Sequence, residues 1–234
     1  MRLTPLRRRG YEFIDDPNTA ADAVARSLDD VACANALFGG TRAVAVEVAR
    51  AIREIPGPRV TLLDVGTGAG DIPAHLRGAL ARRGVGLTTY GVEANEVLAR
   101  GACRAELPMV RADARALPFA SRSIDIVMCS QVLHHFERDD GLALLRELDR
   151  VARHRVIVSD IRRSWLAVAG IWIASFPLRF HPISRHDGVV SVLRGFTRHE
   201  LREMVETAVG RVPEARHRMG FRTTASWRPA PCTT

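Results

Sequence analysis

A chain of 234 residues suits one domain with a full core, and 47% apolar residues with a mean hydropathy of −0.03 read as soluble and globular. The formal charge of +8 would suit nucleic acid or an anionic membrane, but every basic residue is arginine, spread along the chain in short clusters such as Arg7-Arg8-Arg9. The cysteines (Cys33, Cys103, Cys129, Cys232) form no C-x-x-C pair, which argues against a zinc site or disulfide framework and for a reducing cytosol.

Residues 18 to 54 carry helical patterning broken at Gly39-Gly40, and Pro56-Gly57-Pro58 punctuates the chain before a first strand at Val60 to Val65. The next helix places Ile72, Leu76 and Leu80 on one face, with Pro73 tolerated in its first turn. A second strand, about Leu87 to Val92, ends at Glu93 and leads into a short helix. A third, about Pro108 to Ala112, ends at Asp113. The fourth, Ile124 to Ser130, is nearly all apolar, as a strand covered on both faces should be. Leu144, Leu145, Leu148 and Val151 then mark a helix, and Arg155 to Ser159 a fifth strand.

The pattern changes after Asp160. An apolar helix, Trp165 to Phe176, is too short to span a bilayer, and an irregular stretch is expected from Pro177 to Phe196. Thr197-Arg198-His199-Glu200 reads as a capping box opening one more helix, and the remainder as two antiparallel edge strands. The N-terminus lacks an apolar signal core, so a cytoplasmic protein is expected.

The chemistry concentrates at strand ends, where open α/β sheets bind ligands. Thr61-Leu62-Leu63-Asp64-Val65-Gly66-Thr67-Gly68-Ala69-Gly70-Asp71 ends a buried run in an acid and follows it with alternate glycines. No Gly-Lys-Ser/Thr follows, and Asp71 stands where a dinucleotide fingerprint needs its third glycine. An acid facing a glycine turn suits a ligand that is cationic and lacks phosphate. S-adenosylmethionine, with ammonium and sulfonium groups, fits that description. Asp125 lies inside a buried strand, must be paired there, and reads as structural.

The motif at Asp64, Gly66, Gly68 and Gly70 resembles the first motif of the class I S-adenosylmethionine-dependent methyltransferases. The resemblance implies a Rossmann-like, doubly wound, seven-stranded and mostly parallel sheet. It also implies a single domain over 1–234, divided into a helical cap (1–55), a cofactor core (59–160), an acceptor-pocket or lid insertion (161–196), and a C-terminal helix with edge strands (197–234). It assigns the methionine moiety to Asp64, Gly66, Thr67, Gly68 and Gly70, the ribose hydroxyls to Glu93 with Ala94 beside it at the cofactor, the adenine edge to Asp113 and Ala114, and a cofactor border to Cys129 and Ser130. Gly-Thr-Gly-x-Gly-Asp with Gln131-Val132-Leu133-His134-His135-Phe136 is similar to the ubiquinone and menaquinone C-methyltransferases. The N-terminal cap and Arg185-His186-Asp187-Gly188 are similar to bacterial methyltransferases of phenolic polyketide synthesis, a secondary metabolism.

The expected reaction is methylation, at oxygen or carbon, of a phenolic or quinol-type small molecule, without a metal. Candidate bases are His134, His135 and His186 beside Asp187, since a histidine titrates near neutrality. Trp165, Trp172, Phe176, His181 and Arg185 are candidate acceptor contacts, and Asn35, Gly39-Gly40 and Arg42 belong to a segment expected to fold over the site. The alternatives are an RNA methyltransferase using the basic surface, against which no appended RNA-binding domain is found, and a non-catalytic scaffold, against which the intact Asp64, Glu93 and Asp113 set speaks. A monomer or homodimer is expected.

Overall fold

The computed structural model describes residues 4–16, 18–94 and 107–230. Its seven-stranded sheet runs β3-β2-β1-β4-β5-β7-β6, built from β1 (Arg59–Val65), β2 (Gly86–Glu93), β3 (Met109–Arg111), β4 (Ile124–Ser130), β5 (Ala152–Ile161), β6 (Glu214–Arg218) and β7 (Arg222–Trp227). The first five strands are parallel; β7 is antiparallel to β5, and β6 to β7. The chain order therefore reverses between β1 and β4, and that switch point opens a crevice at the carboxyl ends of the strands.

Alternation along each strand sends successive side chains to opposite faces. Leu62, Ile126, Met128 and Ile157 pack on one face under α2 (Gly40–Ile52) and α3 (Asp71–Ala81), through Val44, Val48, Ile72 and Leu76. Leu63, Val127, Val156 and Val158 pack on the other, under α4 (Arg138–Val151) and α7 (Arg198–Val209), through Leu144, Leu148 and Leu201. Asp125 survives inside β4 because Thr61 donates to it from both backbone and hydroxyl and Arg153 from its guanidinium.

Three further helices close the carboxyl edge: α1 (Ala21–Leu37), α5 (Trp165–Ser175) and α6 (Pro182–Arg194). The last replaces the expected irregular stretch. His181 caps it by accepting from the Ile183 N–H, Pro182 occupies the first turn, and Val192 is buried from its far end. The sequence hid this helix behind Ser184, Asp187 and Gly188, of which the first two are buried against other elements. The Thr197–Glu200 capping box is present, and of the two C-terminal strands only β6 is an edge; all six residues of β7 are buried. The short helix expected after Glu93 lies outside the described residues, as do Cys103 and Cys232.

Candidate active site

The loop after β1 is fixed by its backbone. Gly66 and Thr67 donate to the Val92 carbonyl at the end of β2, at 2.8 and 3.2 Å, which lays the loop across the strand ends. Gly66 adopts φ 73° and faces Val132 so closely that any Cβ would collide with that side chain. Gly70, at φ 73°, caps α3.

Within this turn Asp64 is 2% exposed. Its Oδ2 accepts from the Thr67 hydroxyl at 2.8 Å, while Oδ1 is buried and has no hydrogen-bond partner. Burial pushes the carboxyl up to about 7, with Asp71 and Glu93 adding to the rise and Thr67 opposing it. A carboxylate so held lacks a cation, and the ammonium of a bound amino-acid moiety would supply one. Glu93 accepts from the Gly68 N–H at 3.3 Å and the Ala94 N–H at 2.9 Å, so the acid of β2 is tied to the same loop.

These groups open into a cavity of about 500 Å³. Asp64, Gly66, Thr67, Gly68, Glu93 and Ser130 line it; Gly70, Ala94, Asp113, Ala114 and Cys129 do not. Asp113 instead forks onto the Arg115 guanidinium, which holds its carboxyl below the usual range, and Arg115 reaches on to Asp140. From α1, Asn35 donates to Asp71 at 3.3 Å and accepts from Gln131, so this helix is fastened to the loops after both β1 and β4.

The opposite wall carries the histidines. His134 is 3% exposed; its Nδ1 lies 2.7 Å from Asp160 Oδ1, and its backbone N–H donates to Asp160 Oδ2. Its Nε2 is buried and makes no hydrogen bond. Burial alone would raise the Asp160 carboxyl, but the charge and hydrogen bond of His134, with the Ile161 N–H, outweigh it and hold Asp160 below the usual range. His135 is half-buried. Burial pulls its imidazole down, and the Asp15 hydrogen bond together with the Glu12 and Asp15 charges more than reverses that. Among the described residues, Glu12, His134 and His135 each offer one atom within 4.8 Å of the others, a grouping invisible in the sequence because Glu12 lies far from the histidines along the chain. The Glu12 carboxylate is already held by Arg194 at 2.9 Å and Ser191 at 2.9 Å.

The acceptor side differs from expectation. His186 is exposed and lies outside the cavity, its ring against Phe13. Asp187 does line the cavity, but its oxygens accept from the Phe13 and Ile14 N–H groups at 3.0 Å, so it fastens residues 12–15 across the opening. The α5 helix turns Ala167, Gly170 and Ile171 inward, while Trp165, Trp172 and Phe176 are 39%, 47% and 50% exposed. The period of 3.6 puts these aromatics on the outer face. His181 caps α6 and donates its N–H to Asp30, and Arg185 lies over the Phe176 ring and donates to Ser175; neither lines the cavity. The inner wall is instead built by Val31, Phe38, Ile171, Phe180 and Phe221, with Arg222 among them.

Sequence reading missed Asp160, Glu12 and Arg222. Asp160 stood at a strand end, the signal that marked Asp64 and Glu93, and a buried His partner makes it the strongest of the three.

Residues 63–159 match the methyltransferase-domain family. That stretch is under half of the chain, and it is the part that holds the glycine loop and the carboxyl ends of β1, β2 and β4. The chain is 42% identical over 95 residues to an uncharacterized methyltransferase of Mycobacterium marinum, covering 40% of this chain and 35% of that protein, and 37% identical over 119 residues to one from a Mycobacterium species, covering 50% and 44%. The chain thus spans under half the length of these curated relatives. The methyltransferase fold recurs in a Thermotoga maritima S-adenosylmethionine-dependent methyltransferase, a possible histamine N-methyltransferase (TM-score 0.56, 15% identity, covering 90% of this chain and all of that one), and in an Aquifex aeolicus methyltransferase (0.54, 17%, 74% and 85%). Among the described residues no single helix is long and apolar enough to cross a membrane, although α1 and α2 pass that test together as a pair bent by 61°.

Proposed function

We propose that this protein transfers the methyl group of S-adenosylmethionine to a small aromatic acceptor, phenolic or quinol-type, with His134 as the base. The observation that carries the reading is the buried Nε2 of His134, which makes no hydrogen bond and lies 3.9 Å from Glu12, in one cavity with the glycine loop and held from behind by Asp160. When bound, S-adenosylmethionine supplies a methyl already activated by its sulfonium. Asp64, Gly66 and Gly68 would hold its amino-acid end and Glu93 its ribose. The rest of the chain aligns the acceptor and excludes water.

A phenol with a pKa of about 10 is mostly protonated at neutral pH. His134 Nε2 would accept that proton and so ready the oxygen, or the ring carbon it activates, for the methyl that bound S-adenosylmethionine would supply on leaving as S-adenosylhomocysteine. Asp160 fixes the Nδ1–H tautomer and stabilises the imidazolium that forms. Asp160 touches no reacting atom in this scheme and acts as a positioning residue.

Calorimetric titration with S-adenosylhomocysteine, followed by turnover on a panel of phenols and quinols, tests this. His134→Ala is expected to lower kcat about a hundredfold or more with cofactor affinity unchanged. Asp160→Asn is expected to lower kcat with S-adenosylhomocysteine affinity unchanged, and Asp160→Glu to restore part of that loss. No cofactor binding to the native chain, or full turnover by His134→Ala, would refute the reading.

A further inference from the structure

One cation in the cavity has no part in the scheme above. Arg222 opens β7 in register with Ile161, next to the Asp160 that holds His134. The residue is 5% exposed and lines the cavity, its Nε is buried without a hydrogen bond, and among the described residues no carboxylate oxygen lies within 4.0 Å of its guanidinium.

Arg163 provides the contrast. It is equally buried, yet its guanidinium donates to the Pro5 and Gly195 carbonyls and to Glu200. A guanidinium taken from water and given no partner is unfavourable, and removing it from water pulls Arg222 down to about 10 despite the more distant Asp160 charge, so it stays cationic at neutral pH. Asp160 does not neutralise it at contact, because its oxygens already accept from His134 and the Ile161 N–H. The remaining partner is a ligand.

We propose that Arg222 anchors a carboxylate of the acceptor, so that the substrate is an aromatic acid whose carboxylate forks onto the guanidinium while its nucleophilic hydroxyl or ring carbon turns to His134. A planar guanidinium matches a carboxylate through two parallel hydrogen bonds. Phe180, Phe221 and Ile171 in the same cavity supply apolar contact for the ring. The inference rests on the methyl-transfer reading.

The cofactor's own carboxylate has the same chemistry. The sheet order separates the two sources: β7 stands three strand positions from β1, about 14 Å from the glycine loop. The acceptor end of the cavity is the nearer one.

The test is calorimetric: hydroxybenzoates and the matched hydroxybenzamides are titrated into the protein saturated with S-adenosylhomocysteine. The native protein is expected to bind an acid about tenfold or more tighter than its amide. Arg222→Gln is expected to bring that ratio to about one, and Arg222→Lys to keep part of it, with S-adenosylhomocysteine affinity unchanged in both and folding checked by thermal melts. Equal binding of acid and amide by the native protein, binding of neither, or a ratio unchanged in the variants would overturn the proposal. So would a loss of S-adenosylhomocysteine affinity in Arg222→Lys and Arg222→Gln with the ratio intact, which would hand the guanidinium to the cofactor. Failure of the native protein to bind S-adenosylhomocysteine would instead sink the methyl-transfer reading itself.

Discussion

Asp64 shows how one buried atom couples ligand binding to pH. The folded carboxyl titrates near 7 and an unfolded one near 4. Between those values the folded chain holds the extra proton, so this group lowers stability as pH rises from about 4 to about 7. A cationic ligand at Oδ1 reverses the preference and expels the proton. S-adenosylhomocysteine affinity is therefore expected to weaken below pH 7 by up to about tenfold per unit, with an apparent binding enthalpy that differs between buffers of different ionisation heat. In Asp64→Asn both dependences should vanish, and their persistence would place the titrating group elsewhere. Asp64, Gly66, Gly68 and Glu93 were legible because consecutive strand ends carry them. The Asp113 role was inferred the same way, and here the neighbouring Arg115 occupies the carboxylate. The rest of the cavity wall was legible only in part: His134 stood out beside His135, but Glu12 and Arg222 reach the cavity only through the fold, and a helix such as α5 does not announce which side faces inward.

At the scale of elements, the two apolar faces of the sheet follow from strand alternation and are legible in the amino-acid pattern alone. Leu148→Ala, at a fully buried position between α4 and the sheet, is expected to destabilise by about 2–5 kcal/mol in chemical denaturation. Thr197→Ala removes one half of the capping box and should cost about 1 kcal/mol; a loss under a few tenths would mean that Arg163 and Glu200 hold the end of α7 unaided. The helix α6 escaped notice because its polar residues serve other elements: Asp187 binds residues 13 and 14, Ser191 binds Glu12, and Arg194 binds Glu12 and the carbonyls of His134 and His135. Periodicity finds a helix by its apolar side, and here much of the helix's work is polar.

Across the whole molecule the positive charge is dispersed. Arg50, Arg115, Arg150, Arg155, Arg194 and Arg218 are each committed to a carboxylate, which reduces the charge left for an anionic partner. Retention on heparin is expected to disappear at modest salt, and retention through high salt would revive nucleic acid as a partner. The N-terminal strap responds to its clamp: Asp187→Ala is expected to speed proteolysis within residues 5–16 and to weaken protection by cofactor and acceptor, while unchanged cleavage would show that Arg194 alone secures it.

The tip of the β6–β7 hairpin carries a consequence for biosynthesis. Gly220 lies against the Phe38 carbonyl, at φ 70° and with no room for a Cβ, so the break between α1 and α2 rests on residues translated long after it. Phe221 and Arg222 complete a wall whose other members, Val31 and Phe38 among them, are synthesised long before. A nascent chain halted before this hairpin can build much of the parallel sheet and still have no finished cavity, because domains settle as units during translation. The cavity would thus close all at once, when β7 emerges from the ribosome.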